Sequence, residues 1–166
     1  MQVGACLALG DVFWFLHADT IVPKESANLI VAALADPEVV GGNFDVHFSG
    51  AGWAASFMTW LYPQLRRLGL CYGDSAMFVR REAYFRIGGF KALPIFEDLD
   101  LLRELRRIGK FVHLPPTVIT SSRRFEERSF VATFTRWVFL QLLYWLGVSP
   151  SRLGRFYAPR VPPGGR

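Results

Sequence analysis

One short segment near the amino terminus constrains the fold more than any other. Residues 12–16 read VFWFL, a continuous apolar run that is too short for a helix. Such runs are typical of strands covered on both faces, as in the centre of a parallel sheet. The sequence His17-Ala18-Asp19-Thr20 follows at once. We therefore expect a central strand with polar side chains at its carboxyl end, where α/β domains bind ligands.

The rest of the chain alternates between helical and strand-like patterns, which predicts a layered α/β domain of one sheet with flanking helices. Asp98 is expected to cap one helix, and Pro63 is expected to kink or divide another. Helices are predicted for residues 24–35, 51–68, 81–87, 98–108 and 130–146, and further strands for residues 43–49, 75–79, 111–114 and 117–120.

Composition and charge exclude some classes of protein. The 166 residues are 51% hydrophobic and 20% charged, which excludes a disordered chain and allows a real core. Residues 1–64 hold one basic and six acidic residues, a net charge of −5, whereas residues 65–166 hold 18 basic and eight acidic ones, a net +10. The basic part suits nucleic acid, anionic lipid or a phosphorylated small molecule, or it forms a solvated surface.

The cysteine pattern and the lack of a secretory signal fit a reducing compartment. The two cysteines have neither zinc-site nor disulfide spacing, and the amino terminus lacks the features of a secretory signal. The longest uncharged apolar stretch, residues 137–148, is about half the roughly 20 residues that a membrane span needs. We therefore expect no integral membrane segment.

Three groups of side chains could carry chemistry. His17 and Asp19 point to the same side of an extended segment and could hold Mn²⁺ or Mg²⁺. Alternatively, Asp19 only caps or bridges the loop before the next helix. Of Glu97 and Asp98, one could be a general base, or Asp98 could only cap a helix. The third group, Arg123 and Arg124, suits a diphosphate or forms part of a solvated surface.

Several short motifs follow one another along the chain. They are residues 15–20 (FLHADT), 73–74 (GD) with 78–81 (FVRR), 87–90 (IGGF), 97–101 (EDLDL), 106–109 (RRIG) and 122–124 (SRR). Their order resembles family 2 glycosyltransferases of the GT-A fold, the layered fold of nucleotide-diphospho-sugar transferases. The HAD form of the first motif, with the Ser122-Arg123-Arg124 segment, is most similar to the subgroup associated with radical-SAM and selenodomain proteins or with arsenosugar biosynthesis.

This resemblance implies an inverting transfer of a sugar from a nucleotide-diphosphate sugar to an acceptor hydroxyl. Asp19 would match the last acid of the DxD motif and bind a divalent metal, Mn²⁺ or Mg²⁺, with His17 in place of the first acid. Asp98 would match the catalytic base, with Glu97 as its support. A QxxRW segment is absent from the sequence, so we expect the transfer of single sugars.

The resemblance also assigns the remaining site residues. Gly73 and Asp74 would line the acceptor side, and Arg123 and Arg124 would hold the leaving diphosphate. The family's first β-α-β segment, which supplies most of the pocket for the base and ribose, has no counterpart here. The fold is therefore expected to be incomplete at the amino terminus.

Three regions follow from this comparison. Residues 1–125 would be the carboxyl-terminal two-thirds of a GT-A domain, residues 126–157 an amphipathic aromatic helical segment, and residues 158–166 a flexible tail. The alternative to an enzyme is a truncated, non-catalytic remnant or binding module of the same fold.

A membrane surface is a further expected partner. Residues 51–68 and 130–148 place aromatic side chains beside arginines, as interfacial helices do, although both helices could instead pack on the sheet or on the absent segment. We expect a cytoplasmic protein, peripheral on the inner face of the membrane if these helices bind it. No nucleic-acid motif accompanies the basic charge, so nucleic acid is not an expected partner.

Overall fold

The computed structural model describes residues 1–123 and 129–157 and has a mixed α/β fold, with one five-stranded sheet and flanking helices. The helices are α1 (Gln2–Leu7), α2 (Ser26–Ala33), α3 (Trp53–Arg67), α4 (Arg81–Arg86), α5 (Glu97–Ile108), α6 (Phe130–Trp145) and α7 (Pro150–Tyr157). The strands are β1 (Val12–Trp14), β2 (Thr20–Ile21), β3 (Val39–Ser49), β4 (Phe78–Arg80) and β5 (Lys110–Ser121), and Gly73–Ser75 forms a 3₁₀ turn.

The sheet is mixed rather than parallel. Its strand order is β1-β4-β3-β5-β2, and the two long strands β3 and β5 run parallel from the Val39–Lys110 pair to the Ser49–Ser121 pair. The other three pairings are antiparallel. The long parallel pair thus forms the middle of the sheet, and its carboxyl end lies beside β2.

The prediction of a central strand at residues 12–16 is wrong. β1 lies at the edge of the sheet and pairs antiparallel with β4, through Phe13 opposite Val79. The apolar run is nevertheless covered on both faces, because Phe13 and Phe15 join one core cluster while Val12 and Trp14 pack against the other. Burial on both faces accounts for the continuous apolar pattern, and it does not require a central position.

Two layers of helices bury the two faces of the sheet. On one face, α1, α4 and α5 contribute Ala5, Tyr84 and Leu105 to a cluster that includes Val79 of β4. On the opposite face, α2, α3 and α6 pack around Phe78 of β4. Adjacent residues of a strand point to opposite faces, so β4 serves both cores.

Prolines did not divide the elements as the sequence suggested. β5 is one strand through Pro115 and Pro116, and the register between β3 and β5 shifts where Phe44 pairs with Leu114 and Asp45 with Thr117. Phe44 and Asp45 are consecutive in β3, whereas Pro115 and Pro116 lie between their partners in β5. The register shift therefore accommodates both prolines. Likewise, α3 continues through Pro63 without division.

Most predicted helices are confirmed with small changes of boundary. The helix predicted for residues 130–146 is α6, and the one predicted for residues 24–35 is the shorter α2. No helix within residues 1–123 and 129–157 is long and apolar enough to cross a bilayer. At the start of α5, the residue that precedes the helix is Phe96, and Asp98 lies inside the first turn.

Candidate active site at the start of α5

Asp98 is held in place by two backbone amides. The Gly73 N–H donates to its Oδ2 at 2.8 Å, and the Leu99 N–H donates to its Oδ1 at 2.8 Å. The first turn of α5 also holds Glu97 and Asp100, where the positive end of the helix dipole stabilises negative charge. The prediction that Asp98 is the N-cap is wrong, because Phe96 holds that position and Asp98 lies inside the first turn, where its carboxylate joins α5 to the Gly73 turn.

His17 and Asp98 face the same small space next to Gly73. A Cβ placed on Gly73 would lie 3.4 Å from His17 Nε2, 3.7 Å from Asp98 Oδ2 and 3.9 Å from Met1 Cε. The turn after β1, the 3₁₀ turn and the start of α5 therefore converge here. Three residues of the sequence motifs, far apart in the chain, meet at one point.

Asp74 extends this group of acids. Its Oδ2 accepts a hydrogen bond of 2.5 Å from the Tyr62 hydroxyl of α3. Burial and the Asp74 charge together raise the pKa of Tyr62 well above its usual value, so this hydroxyl keeps its proton. Sequence reasoning identified Asp74 but not Tyr62, because the apolar pattern of α3 gives no sign of a polar role for its tyrosine.

Buried polar side chains hold the same 3₁₀ turn in place. Asn43 Nδ2 donates to Ser75 Oγ at 2.9 Å, and Ser75 Oγ donates to the Tyr72 carbonyl at 2.6 Å. His113 Nδ1 bonds to the Asn43 side-chain oxygen, and burial lowers the pKa of His113 to about 4, which favours the neutral ring. Asn43 and Ser75 are 2% and 3% exposed, so this polar pair lies inside the protein.

The environment raises the pKa of Asp98 to about 6. Burial of the carboxylate is the largest cause, and the charges of Glu97 and Asp74 act in the same direction. The hydrogen bonds from Gly73 and Leu99 oppose these effects, because they favour the ionised form. The outcome is a carboxylate that is ionised at pH 7 and is a stronger base than an ordinary aspartate.

The predicted metal and diphosphate residues come from adjacent segments. Thr20 of β2 pairs antiparallel with Thr120 of β5, so the residue before Thr20 lies beside the residue after Thr120. Asp19 precedes Thr20, and Arg123 follows two residues beyond Ser121. The antiparallel pairing thus brings the end of the HAD motif next to Ser121, two residues before Arg123. Arg124, the other predicted diphosphate ligand, lies outside the described residues.

His17 and Asp19 are both exposed on one turn, which a hydrogen bond of 3.1 Å from the Thr20 N–H to the His17 carbonyl closes. Residues 1–123 and 129–157 contain no group of three or more His, Cys, Asp or Glu that could hold a metal ion. Imidazole and carboxylate are donor types that Mn²⁺ accepts. The metal site at His17 and Asp19 stays a prediction.

Helix α6 contacts both sides of the Gly73–Asp98 hydrogen bond. The Tyr72 hydroxyl bonds to Gln141 Oε1 of α6 at 3.1 Å, and Tyr72 immediately precedes Gly73. Phe96 precedes Glu97, and its ring lies 4.9 Å from that of Tyr144 in α6. Phe96 has a left-handed backbone, with φ of 64°, and is 4% exposed. Packing against α6 therefore helps to hold a strained residue at the start of α5.

Comparison with known proteins assigns no family. No family model matches the chain. A phospholipid transfer protein of Mus musculus is 29% identical over 121 residues, which covers 62% of this chain and 24% of the mouse protein. The chain thus spans about a quarter of the length of this relative. The site described above is therefore interpreted from its own residues and geometry.

Proposed function

We propose that this chain carries the acceptor-binding and catalytic-base part of an inverting, non-processive family 2 glycosyltransferase of the GT-A fold. The observation that carries the proposal is the position of Asp98 together with its raised pKa. Its carboxylate is fixed by the Gly73 and Leu99 amides, faces a space shared with His17, and has a pKa of about 6. A general base works best when its pKa lies near the working pH.

The proposed reaction uses Asp98 to remove the proton of the acceptor hydroxyl. As the acceptor oxygen bonds to the anomeric carbon, the bond from that carbon to the diphosphate oxygen breaks, and the configuration inverts. The diphosphate leaves with the bonding electron pair, and Asp98 keeps the proton. In this proposal the acceptor hydroxyl approaches the carboxylate past Gly73, where a Cβ would lie 3.4 Å from His17 Nε2 and 3.7 Å from Asp98 Oδ2.

The surrounding residues have supporting roles in this proposal. Glu97 and Asp74 raise the proton affinity of Asp98, and Asp74 lines the acceptor side with its carboxylate fixed by Tyr62. His17 and Asp19 would hold Mn²⁺ or Mg²⁺, which when bound offsets the negative charge of the diphosphate. Arg123, two residues beyond the end of β5, would bind the diphosphate.

The test measures sugar release from UDP- and GDP-sugars, with water or an added hydroxyl compound as acceptor, by the longest protein that the gene encodes. We expect Asp98→Asn to reduce turnover by about 10²–10⁴-fold, the usual contribution of a general base. The matched control is Glu104→Gln on the same helix, which alters a surface ion pair with Arg107 and should leave turnover unchanged.

The pH profile gives a second readout of the same proposal. Because the base acts when ionised, kcat/KM should rise with pH through about 6 and then level off. A fully active Asp98→Asn variant would refute the assignment of the base. Tight binding of UDP or GDP by calorimetry, without any sugar release, would instead favour a non-catalytic binding module of the same fold.

A further inference from the structure

Helix α6 is apolar on two opposite faces, although only one of them meets the core. Its inner face includes Phe130, Leu140 and Gln141, which are at most 8% exposed. Residues opposite this face form what we call the outer stripe, with spacings of three and four that align them along one side of a helix. The outer stripe consists of Val131, Thr135, Phe139, Leu142 and Leu146.

The outer stripe is large and open to solvent. Val131 is 62% exposed, Phe139 56%, Leu142 48% and Leu146 80%. Trp145 beside it is 56% exposed. A helix that is apolar all round is normally buried on all sides, and a contiguous exposed apolar stripe marks a binding surface.

The charge next to the stripe has one sign. Residues 129–157 contain three arginines and no aspartate or glutamate. Arg136 lies on α6, while Arg152 and Arg155 are exposed on α7 next to Phe156, which is 63% exposed. An apolar stripe in a segment whose charged residues are all arginines is complementary to a surface that is apolar inside and anionic outside.

Helix α3 adds tryptophans of the kind found at membrane interfaces. Trp53 and Trp60 are two turns apart on one side of α3 and are 64% and 61% exposed. The ring of Trp53 lies 4.8 Å from that of Phe130, so α3 packs against the inner face of α6 at its start. Like residues 129–157, α3 contains no acidic residue and ends in Arg66-Arg67. Tryptophan is enriched where a bilayer meets water.

We infer that the outer stripe of α6, with the exposed residues of α7 and α3, is a docking surface for an anionic lipid bilayer. The helices would lie in the plane of the interface, with the apolar side chains among the acyl chains and the arginines among the headgroups. A second copy of the chain fits this surface less well. Two such faces would bring arginines together, and neither residues 129–157 nor α3 offers a carboxylate to pair with them.

The test is cosedimentation of the purified full chain with vesicles. One set contains phosphatidylcholine alone, and the other contains one part phosphatidylglycerol to two parts phosphatidylcholine. We expect enrichment in the pellet with the anionic vesicles at low salt and its loss at high salt, because salt screens the attraction. The double variant Arg152→Gln/Arg155→Gln should bind anionic vesicles at least about fivefold more weakly.

The apolar part is tested by Phe139→Ser/Leu142→Ser, which should weaken binding by about tenfold or more. The matched control is Val31→Ser, since Val31 is 70% exposed on α2 and lies outside the proposed surface. All substituted side chains are largely exposed, so circular dichroism should show unchanged folding.

Three results would overturn the inference: no enrichment of the wild-type chain with anionic vesicles, equal pelleting of the Phe139→Ser/Leu142→Ser variant, or equal pelleting with both vesicle types. Sedimentation equilibrium without lipid tests whether a second copy of the chain binds the outer stripe instead. A wild-type dimer that the same double variant converts to a monomer would assign the stripe to self-association and overturn the bilayer assignment.

Discussion

At the scale of single residues, the site depends on the space left by Gly73. The added methyl of Gly73→Ala would meet His17 Nε2 and Asp98 Oδ2 at distances of ordinary van der Waals contact, so the fold should accept it. In the proposed reaction the acceptor hydroxyl approaches the carboxylate past Gly73, and the same methyl would stand in its way. We therefore expect a change in unfolding free energy of less than about 0.5 kcal/mol, with turnover reduced at least about tenfold.

Thermal unfolding and sugar-release assays on the same preparations check this prediction. Gly4→Ala is the control, because nothing lies within 4 Å of the added methyl in α1. Turnover of Gly73→Ala equal to that of wild type would show that the acceptor reaches Asp98 by another route.

Residue patterns predicted the motif residues of the site but not the buried polar side chains that hold the 3₁₀ turn in place. The motifs pointed to His17, Gly73 and Asp98, and the structure brings these three together. The Asn43–Ser75 hydrogen bond could not be predicted, because it depends on how β3 passes below the 3₁₀ turn. A polar residue in a strand with alternating pattern is normally predicted to face solvent. Asn43 is instead buried against Ser75, which lies 32 residues away in the sequence.

At the scale of elements, the sheet depends on close contact between strands at Gly42. A Cβ at this position would lie 2.4 Å from the Val112 carbonyl oxygen of β5 and 2.5 Å from Phe78 Cζ of β4. Backbone cannot yield as an exposed side chain can, so Gly42→Ala should destabilise the protein by about 3 kcal/mol. Urea unfolding monitored by circular dichroism measures this change.

Gly10→Ala provides the comparison for Gly42→Ala. Its added methyl would meet only the Val12 carbonyl oxygen, at 3.7 Å, and we expect a change below about 0.5 kcal/mol. Equal effects of the two substitutions would show that the strands at Gly42 separate at little cost.

The order of the strands was the part of the fold that the sequence concealed. Periodicity identifies a strand by its burial, and β1 and a central strand share the same burial on both faces. Position within the sheet is decided instead by hydrogen-bonding partners distant in sequence, such as Val79 for Phe13. Helices were predicted more reliably, because their hydrogen bonds are local and their periodic pattern is long.

At the scale of the whole molecule, the pKa of Asp98 makes stability depend on pH. The folded-state pKa of about 6 lies above the ordinary value of 3.8, so folding favours the protonated carboxyl. Its contribution to stability is fully present below about pH 4 and is lost as the pH rises through 6. Asp98→Asn lacks this loss and should gain about 2 kcal/mol relative to wild type between pH 4 and pH 7.5.

Urea unfolding of both proteins across this pH range measures the difference. Asp36→Asn is a control of opposite sign, because hydrogen bonding to the Glu38 N–H, with the charge of Lys110, lowers the pKa of Asp36. That variant should lose stability relative to wild type as the pH rises. A difference between Asp98→Asn and wild type that is independent of pH would contradict the raised pKa.

The contacts of α6 link it to both segments that carry the Gly73–Asp98 hydrogen bond. Tyr72 immediately precedes Gly73 and bonds to Gln141, and Phe96, two residues before Asp98, packs against Tyr144. If a ligand on the exposed face of α6 shifted these contacts, the pKa of Asp98 would shift with them. By reciprocity, a proton on Asp98 would then change the affinity of that ligand by the same factor. The titration of Asp98 would in that case report on binding at the far face of α6.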